Sequence, residues 1–339
     1  MPRSKNEIET RSRILTFNLM KAAYYTRYGS PEFVSVKEVN IPEPGPGEVL
    51  VKVRAATVNR SDYAILKGSA LMRLFTGLRR PRRSTPGTDF AGEVVSVGKG
   101  VTGYKTREPI FGFNDMGVGS HAEYVIVKRG VVTAPIPPGV DWHTAAASLE
   151  AVHYAVNFIN KVPLRTGDRV LVNGGTGAIG SALIQLLKVH GAYVTATCRA
   201  ANMEQVRALG ADEVIDFTRK DFTQSKELYD YIFDAVGKSS FADCKHLLKA
   251  QGIYSSSELG EWAVNPRLAL TTRWSNGKKV IFPVPVRLHE SIALVSDLLV
   301  RGKFKPLIDR VYPLDEVAEA FRYVGTGEKI GNVILEVAG

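Results

Sequence analysis

The stretch Arg169-Val170-Leu171-Val172-Asn173-Gly174-Gly175-Thr176-Gly177-Ala178-Ile179-Gly180 runs from an apolar β-branched segment straight into a cluster of glycines. Its first half predicts a buried strand of a parallel sheet, and its end opens a predicted helix over 178–190. Gly175, Gly177 and Gly180 stand in G-x-G-x-x-G register between the two. In that context Gly175 permits a tight turn, Gly177 lets the backbone approach a pyrophosphate, and Gly180 lets helix and strand pack closely. Phosphates then rest on the free N–H groups of the turn, Gly174 through Gly180, where the helix dipole favours negative charge. A bare glycine triplet is common in loops. The strand before it and the helix after it mark this one as a dinucleotide site.

Outward from the turn, strands are expected at 169–173, 192–198, 213–216, 229–234 and 252–256, with helices near 178–190, 201–209 and 239–249. Such alternation builds a parallel sheet covered on both faces. Upstream, residues 20 to 145 are short β-branched runs cut by Gly and Pro, among them Val34–Val39, Glu48–Ala55, Gly92–Val97 and Ala122–Val127, and read as mostly β. After residue 285 come a helix (287–301), a strand near 307–311, a helix (314–323) and a strand over 331–337, which can return to the first domain. The fold class is therefore α/β: a doubly wound Rossmann sheet plus a mostly β domain. The divisions are a flexible extension over 1–19, a catalytic domain over 20–145 and 286–339, and a nucleotide domain over 146–285. A length of 339 residues fits two domains at roughly 150 residues each.

The second Rossmann strand ends Thr195-Ala196-Thr197-Cys198-Arg199, with no acid before Glu204. A carboxylate at that place takes the ribose hydroxyls of NAD, whereas Arg199 meets a 2′-phosphate with charge-assisted hydrogen bonds. NADPH is the expected cofactor and NADH the alternative, in which Arg199 is a solvated loop residue. Ser255 and Ser256, at the end of the fifth strand, lie where such sheets bind ligands.

Two cysteines, Cys198 and Cys244, make no disulfide framework and no zinc-ligand spacing, so no metal is expected. No apolar stretch approaches the roughly 18 residues that span a bilayer, and no signal peptide is evident, so the expectation is a cytoplasmic protein without a membrane partner. The net charge of +10 suits phosphate-bearing ligands, anionic surfaces or nucleic acid.

Several patches in order make residues 20–339 resemble the medium-chain dehydrogenase/reductase superfamily, in its zinc-independent quinone-oxidoreductase-like branch. They are Val58-Asn59-Arg60-Ser61-Asp62, Pro86-Gly87-Thr88-Asp89-Phe90-Ala91-Gly92 with Val97-Gly98, Ser120-His121-Ala122-Glu123-Tyr124, the glycine turn, Leu209-Gly210-Ala211-Asp212, and Asp234-Ala235-Val236-Gly237. The resemblance implies a GroES-like β domain built from both chain ends, with the Rossmann domain between them and Val236 beside the cofactor. It also implies a homodimer, with Lys279-Val280-Ile281-Phe282 as an edge strand that pairs across a two-fold axis. Zinc-using relatives carry ligands at the positions of Asn59, Thr88 and about Leu149, a set without thiolate or imidazole.

The activity so implied is NADPH-dependent reduction of quinones or α,β-unsaturated carbonyls without a metal. Hydride addition to these leaves a delocalised phenolate or enolate, whereas alcohol oxidation builds alkoxide charge that zinc ordinarily stabilises. Asn59 is the candidate for the pocket floor, able to donate to the nicotinamide ribose or a substrate oxygen, or else a turn residue bonding its own backbone. Tyr63 is a candidate proton donor, one position before the tyrosine common in the family, with packing as its plain alternative. His153 falls where relatives often have threonine near the nicotinamide; it can relay a proton or simply pack in a helix. Asn332, in Gly331-Asn332-Val333-Ile334, matches a cofactor-side position that is often Lys, and Asp62 can hold the local loop or the ribose. The alternatives are an alcohol or aldehyde dehydrogenase of the same superfamily, and an NADPH-binding RNA-binding or regulatory protein. The second draws on the five arginines of Arg73–Arg83, which otherwise make a solvated loop near the substrate cleft.

Overall fold

The computed structural model describes residues 19–337. The chain begins with β1 (Leu19–Tyr24), β2 (Ser35–Asn40), β3 (Val49–Val58), helices α1 (Arg60–Lys67) and α2 (Ala70–Thr76), then β4 (Asp89–Val97), β5 (Pro109–Phe113), β6 (Tyr124–Val127) and β7 (Val132–Pro135). A long helix α3 (Trp142–Ile159) leads to β8 (Arg169–Asn173), α4 (Ala178–Val189), β9 (Tyr193–Cys198), α5 (Met203–Ala208), β10 (Glu213–Asp216) and β11 (Tyr229–Asp234). There follow α6 (Phe241–Cys244), β12 (Leu248–Ser256), α7 (Val264–Thr271), β13 (Lys279–Ile281), α8 (Leu288–Val300), β14 (Ile308–Pro313), α9 (Val317–Thr326) and β15 (Asn332–Glu336). The extension expected over 1–19 lies outside the described residues except for Leu19, which opens β1.

One sheet runs β10-β9-β8-β11-β12-β13, parallel throughout. Its order reverses between β8 and β11, the switch point outside whose carboxyl ends ligands bind in such sheets. A second sheet runs β14-β15-β3-β4-β5-β7, with β6 also paired to β3. Here β15 lies antiparallel to β3, with Val333 opposite Val58, so the last strand completes a sheet begun in the first quarter of the chain. β1 and β2 form a separate hairpin.

Helix α3 joins the two sheets. Asp141 caps it, its carboxylate accepting from the backbone N–H of Thr144 at 2.9 Å and from the Thr144 hydroxyl at 2.7 Å. The helix is apolar on nearly every face because it is buried on nearly every face. One continuous core holds Ala146, Leu149 and Val152 together with Phe111 of the mixed sheet, Val170 of the parallel one and Leu183 of α4. Phe321 and Val324 of α9 seal the interior of the mixed sheet against Val53, Val58 and Phe90.

The helix expected over 239–249 is much shorter: α6 spans four residues, a 3-10 turn covers Lys245–Leu247, and β12 starts at Leu248 instead of 252. Leu248 pairs with Tyr229, and both side chains are buried in the core on that face of the sheet. Burial against the neighbouring strand overrides the local helical pattern. Helices α1 and α2 and strands β5 and β7 have too short a period to be read from sequence.

Candidate active site

The glycine turn leaves β8 with Gly174 in the left-handed region at φ 89°. The conformational demand expected of Gly175 therefore falls one residue earlier. Gly175 lacks a side chain for a different reason: a Cβ there would lie 3.1 Å from Ala196 Cβ and Ile184 Cδ1. At Gly180 a Cβ would come 2.0 Å from Gly174 O, which ties the start of α4 to the end of β8. Side chains behind the turn fix its shape. Thr197 Oγ1 accepts from Gly174 N at 2.9 Å and donates to Asn173 Oδ1 at 2.7 Å, while Asn173 Nδ2 donates to Asp234 Oδ1 at 3.1 Å. Asp234 also accepts from the N–H groups of Val236 and Gly237, holding Val236 against Gly174. Gly177 is the N-cap of α4 and no side chain caps that end. The N–H groups of Ala178, Ile179 and Gly180 have no intrahelical acceptor and are open to an anion.

The closing segment of the chain crosses to this turn. Gly331 N donates to Thr176 O at 2.6 Å, and Gly331 bridges Gly177. Three residues back, Glu328 lies 3.9 Å from the exposed guanidinium of Arg199 at the end of β9. Lys329 sits between them with its ammonium donating to Gly331 O. Burial brings its pKa down to about 8, opposed by the negative charge of Glu150. Arg60 of α1 pairs with Glu258, just past β12, at 3.2 Å.

On the mixed-sheet side a directional network converges on Glu150, which α3 carries in. Asn59 Nδ2 donates to Glu150 Oε2 at 2.8 Å and to Thr57 Oγ1 at 2.6 Å; Thr57 in turn donates to Asp89. Ser61 Oγ donates to Glu150 Oε1 at 2.7 Å, and Thr88 Oγ1 to Oε2 at 3.2 Å. Asp62 accepts from Asn59 N at 2.9 Å and so caps α1. Burial, then mutual repulsion, raises the pKa of Asp62, and burial raises that of Glu150. Asp89 is pushed up to about 8, by burial first and the Glu150 charge second. His121 is brought down to about 4 by burial and is therefore neutral, its Nε2 donating to Thr57 O at 2.9 Å.

This network revises the role expected of Asn59. Both amide hydrogens are committed to Thr57 and Glu150, so the atom left over is the acceptor Oδ1, buried and without a partner. Ser255 Oγ, at the carboxyl end of β12, is likewise buried without a partner. Two orphaned polar atoms and an uncapped helix start are what a dinucleotide with hydroxyl, amide and phosphate groups would satisfy.

The other residues singled out from sequence stand as follows. Cys198 is buried, and burial raises its thiol to about 11. Ser256 Oγ accepts from Glu258 N at 3.3 Å. The Tyr63 ring packs on the backbone of α9, where a Cβ at Gly325 would lie 2.7 Å from it, apart from the Asn59 network. His153 Nδ1 is 2.8 Å from Ser291 Oγ, and its ring lies among Phe113 and Tyr154. Asn332 is buried with Nδ2 donating to Leu307 O at 3.0 Å. Thr57, Asp89, Glu150 and Lys329 were not among the predicted site residues; the patch containing Asp89 was visible, its convergence with Glu150 was not.

At the positions where zinc-using relatives have ligands, Asn59 and Thr88 bond Glu150 and Leu149 is buried. An amide, hydroxyls and one carboxylate do not make a zinc donor set. Among the described residues no group of three or more His, Cys, Asp or Glu is arranged to hold a metal ion.

A parallel sheet with an open glycine turn, faced by a mixed sheet made from both chain ends, defines a two-domain dinucleotide-binding protein. Residues 45–138 match the alcohol dehydrogenase GroES-like domain, and residues 209–335 match the zinc-binding dehydrogenase family. The chain is 32% identical to a 2-methylene-furan-3-one reductase of Solanum lycopersicum, over 96% of this chain and 81% of that one. It is 31% identical to a chloroplastic quinone-oxidoreductase homolog of Spinacia oleracea, over 94% of this chain and 98% of that one. The fold matches that of a quinone oxidoreductase from Coxiella burnetii with a TM-score of 0.83, 24% identity and coverage of 94% and 100%. The chain belongs to the medium-chain dehydrogenase/reductase superfamily, in its quinone-oxidoreductase-like branch, and is a nicotinamide-dependent oxidoreductase.

Proposed function

We propose that the protein uses NADPH to reduce quinones and α,β-unsaturated carbonyls, as a cytoplasmic homodimer. The observation that carries this reading is the Asn59–Glu150 network, which gathers hydrogen-bonding groups on the mixed-sheet side of the site without any thiolate among them. NADPH, when bound, supplies a hydride. Its addition to a quinone or enone leaves a phenolate or enolate whose conjugate acid lies near the ~10 of tyrosine. Hydrogen bonds and one cation suffice for such a charge, where an alkoxide asks for more. The tomato relative is named for an enone substrate of this kind.

Each residue then has a task. The N–H groups of 178–180 hold the diphosphate and Arg199 meets the 2′-phosphate; Glu204, the first acid after β9, is paired with Arg207. Asn59 Oδ1 accepts from a ribose or substrate hydroxyl, and Ser255 Oγ supplies a donor from the other side. Lys329 brings a positive charge to the cleft and, near its pKa of about 8, can release a proton at working pH. Glu150 keeps Asn59 oriented. The homodimer would join through β13, an edge strand of the parallel sheet; sedimentation and cell fractionation test the assembly and the location.

An alcohol or aldehyde dehydrogenase is the second reading, favoured by the descriptions of the two matching families. Initial rates with NADPH and NADH against phenanthrenequinone, an alkyl vinyl ketone, simple aldehydes and primary alcohols separate the two. Quinone and enone turnover with NADPH is the expected result. Alcohol oxidation abolished by a chelator would overturn the proposal.

A further inference from the structure

Between Tyr63 and Thr88 the chain carries Lys67, Arg73, Arg79, Arg80, Arg82 and Arg83 and no acidic residue. The same segment exposes Leu74 at 59%, Phe75 at 56% and Leu78 at 66%, with Met116 exposed at 49%. A surface helix ordinarily turns its apolar residues inward. Here the polar groups of the segment are the ones tied to the body of the protein. Tyr28 OH donates to Gly77 O at 2.8 Å and Arg83 Nη1 to Gly117 O at 2.6 Å, while the bonds from Arg73 Nε to Gly68 O at 2.7 Å and from Arg82 N to Thr76 O at 2.8 Å brace the segment internally. Large apolar side chains thus project from an anchored scaffold amid unopposed positive charge. Beside them lies a cavity of about 290 Å³ whose lining includes Phe75, Pro81, Arg82 and Met116 together with Tyr25 and Asp62. Asp62 connects it to the Asn59 network.

We propose that this face docks on an anionic lipid bilayer, with Leu74, Phe75 and Leu78 entering the headgroup region and the arginines meeting acidic headgroups. The cavity then opens onto the membrane, so that a lipophilic quinone or enone passes into it without crossing water. The docking half stands by itself, and the substrate half rests on the reductase reading above. Charge and apolar insertion together are the two signals that stable peripheral binding needs. Single-stranded RNA fits less well: it asks for aromatic platforms, and the exposed apolar side chains are aliphatic except Phe75. No helix among the described residues is long and apolar enough to cross a membrane, so the association is peripheral. It goes beyond the expectation of no membrane partner, which rested on the lack of a spanning stretch and of a signal peptide.

The test uses the full chain and cosedimentation with phosphatidylcholine vesicles, with and without phosphatidylserine. Binding is expected only with phosphatidylserine and should be released by salt. The paired variants Leu74→Ser with Leu78→Ser, and Arg79→Gln with Arg80→Gln, lie outside the cavity lining. Each should weaken vesicle binding by more than about tenfold while turnover of a short soluble quinone is unchanged. Turnover of a long-chain quinone embedded in the vesicles should fall. Absence of binding to either vesicle overturns the proposal. So does displacement by single-stranded RNA with the leucine pair unaffected, which makes the face a nucleic-acid surface, or a leucine pair that changes the oligomeric state, which makes it a contact between copies. Vesicle binding without turnover of any quinone leaves the docking face standing and removes the reductase reading instead.

Discussion

Arg199 and Lys329 reach the cleft from opposite domains, one legible in the sequence and the other not. Arg199 ends a predicted strand at the distance from the glycine turn where a ribose partner belongs, so spacing alone points to it. Arg199→Ala should raise the KM for NADPH by about tenfold to a hundredfold, as loss of charge-assisted hydrogen bonds does, and leave NADH kinetics unmoved; initial rates decide this. Lys329 has no motif and gains its setting from Gly331, Thr176 and the distant Glu150. With its pKa brought down to about 8, activity that uses the ammonium should decline as pH rises through that value. Lys329→Arg should keep the charge on the alkaline side but be slow wherever a released proton is needed, since a guanidinium does not give one up, and Lys329→Met should be slow with a flat profile. Stability carries the opposite sign. Between about 8 and 10.5 the native state binds fewer protons than the unfolded chain, so this residue's contribution rises with pH, and Lys329→Met removes that rise in pH-dependent urea midpoints. Asn59 was legible as a site residue but its polarity was not, because the groups that take its hydrogens lie at Thr57 and, 91 residues away, at Glu150.

Helix α3 gives the site its depth, since Glu150, His153 and Asn157 share the spacing that puts side chains on one helical face. The first reaches Asn59, the second Ser291, and the third accepts from Val286 N at 3.1 Å. Asp141→Ala should therefore cost about 1 kcal/mol through its cap alone. Phe321→Ala, in the interior of the mixed sheet, should cost about 3–5 kcal/mol. Urea unfolding measures both, and equal effects would mean that α9 does not seal that interior. The first four parallel strands, β8 to β11, were legible to within a residue because they are short apolar runs between glycine and polar turns. α1 and α2 were not, because Tyr28 and the Asn59–Asp62 cap hold them in place and periodicity has too few residues to work with. Around 239–249 the helical pattern was genuine and lost to strand pairing with Tyr229.

At the level of the whole molecule, β15 brings the end of the chain back beside β3, and Gly331 then touches the turn at Thr176 and Gly177. Closure of the mixed sheet and placement of the cofactor turn are thereby one event, which sequence hinted at only through the late strand at 331–337. The buried acids leave a mark on global stability. Asp89 holds its proton up to about 8 in the folded protein against an ordinary 3.8, so between those values the native state binds more protons than the unfolded chain. Its contribution to stability is full at the acid end of that window and is lost as pH rises through it. Asp89→Asn should reduce this decline in thermal melts taken across the window, leaving the share of Asp62 and Glu150, and a decline undiminished in the variant would mean that Asp89 has no part in it. The reaction itself can be read from one labelled atom. With NADPH deuterated on its transferable hydrogen and an alkyl enone as substrate, mass spectrometry and NMR should find deuterium on the β-carbon of a saturated ketone. Deuterium on the carbinol carbon of an allylic alcohol would mean attack at the carbonyl and would contradict the account.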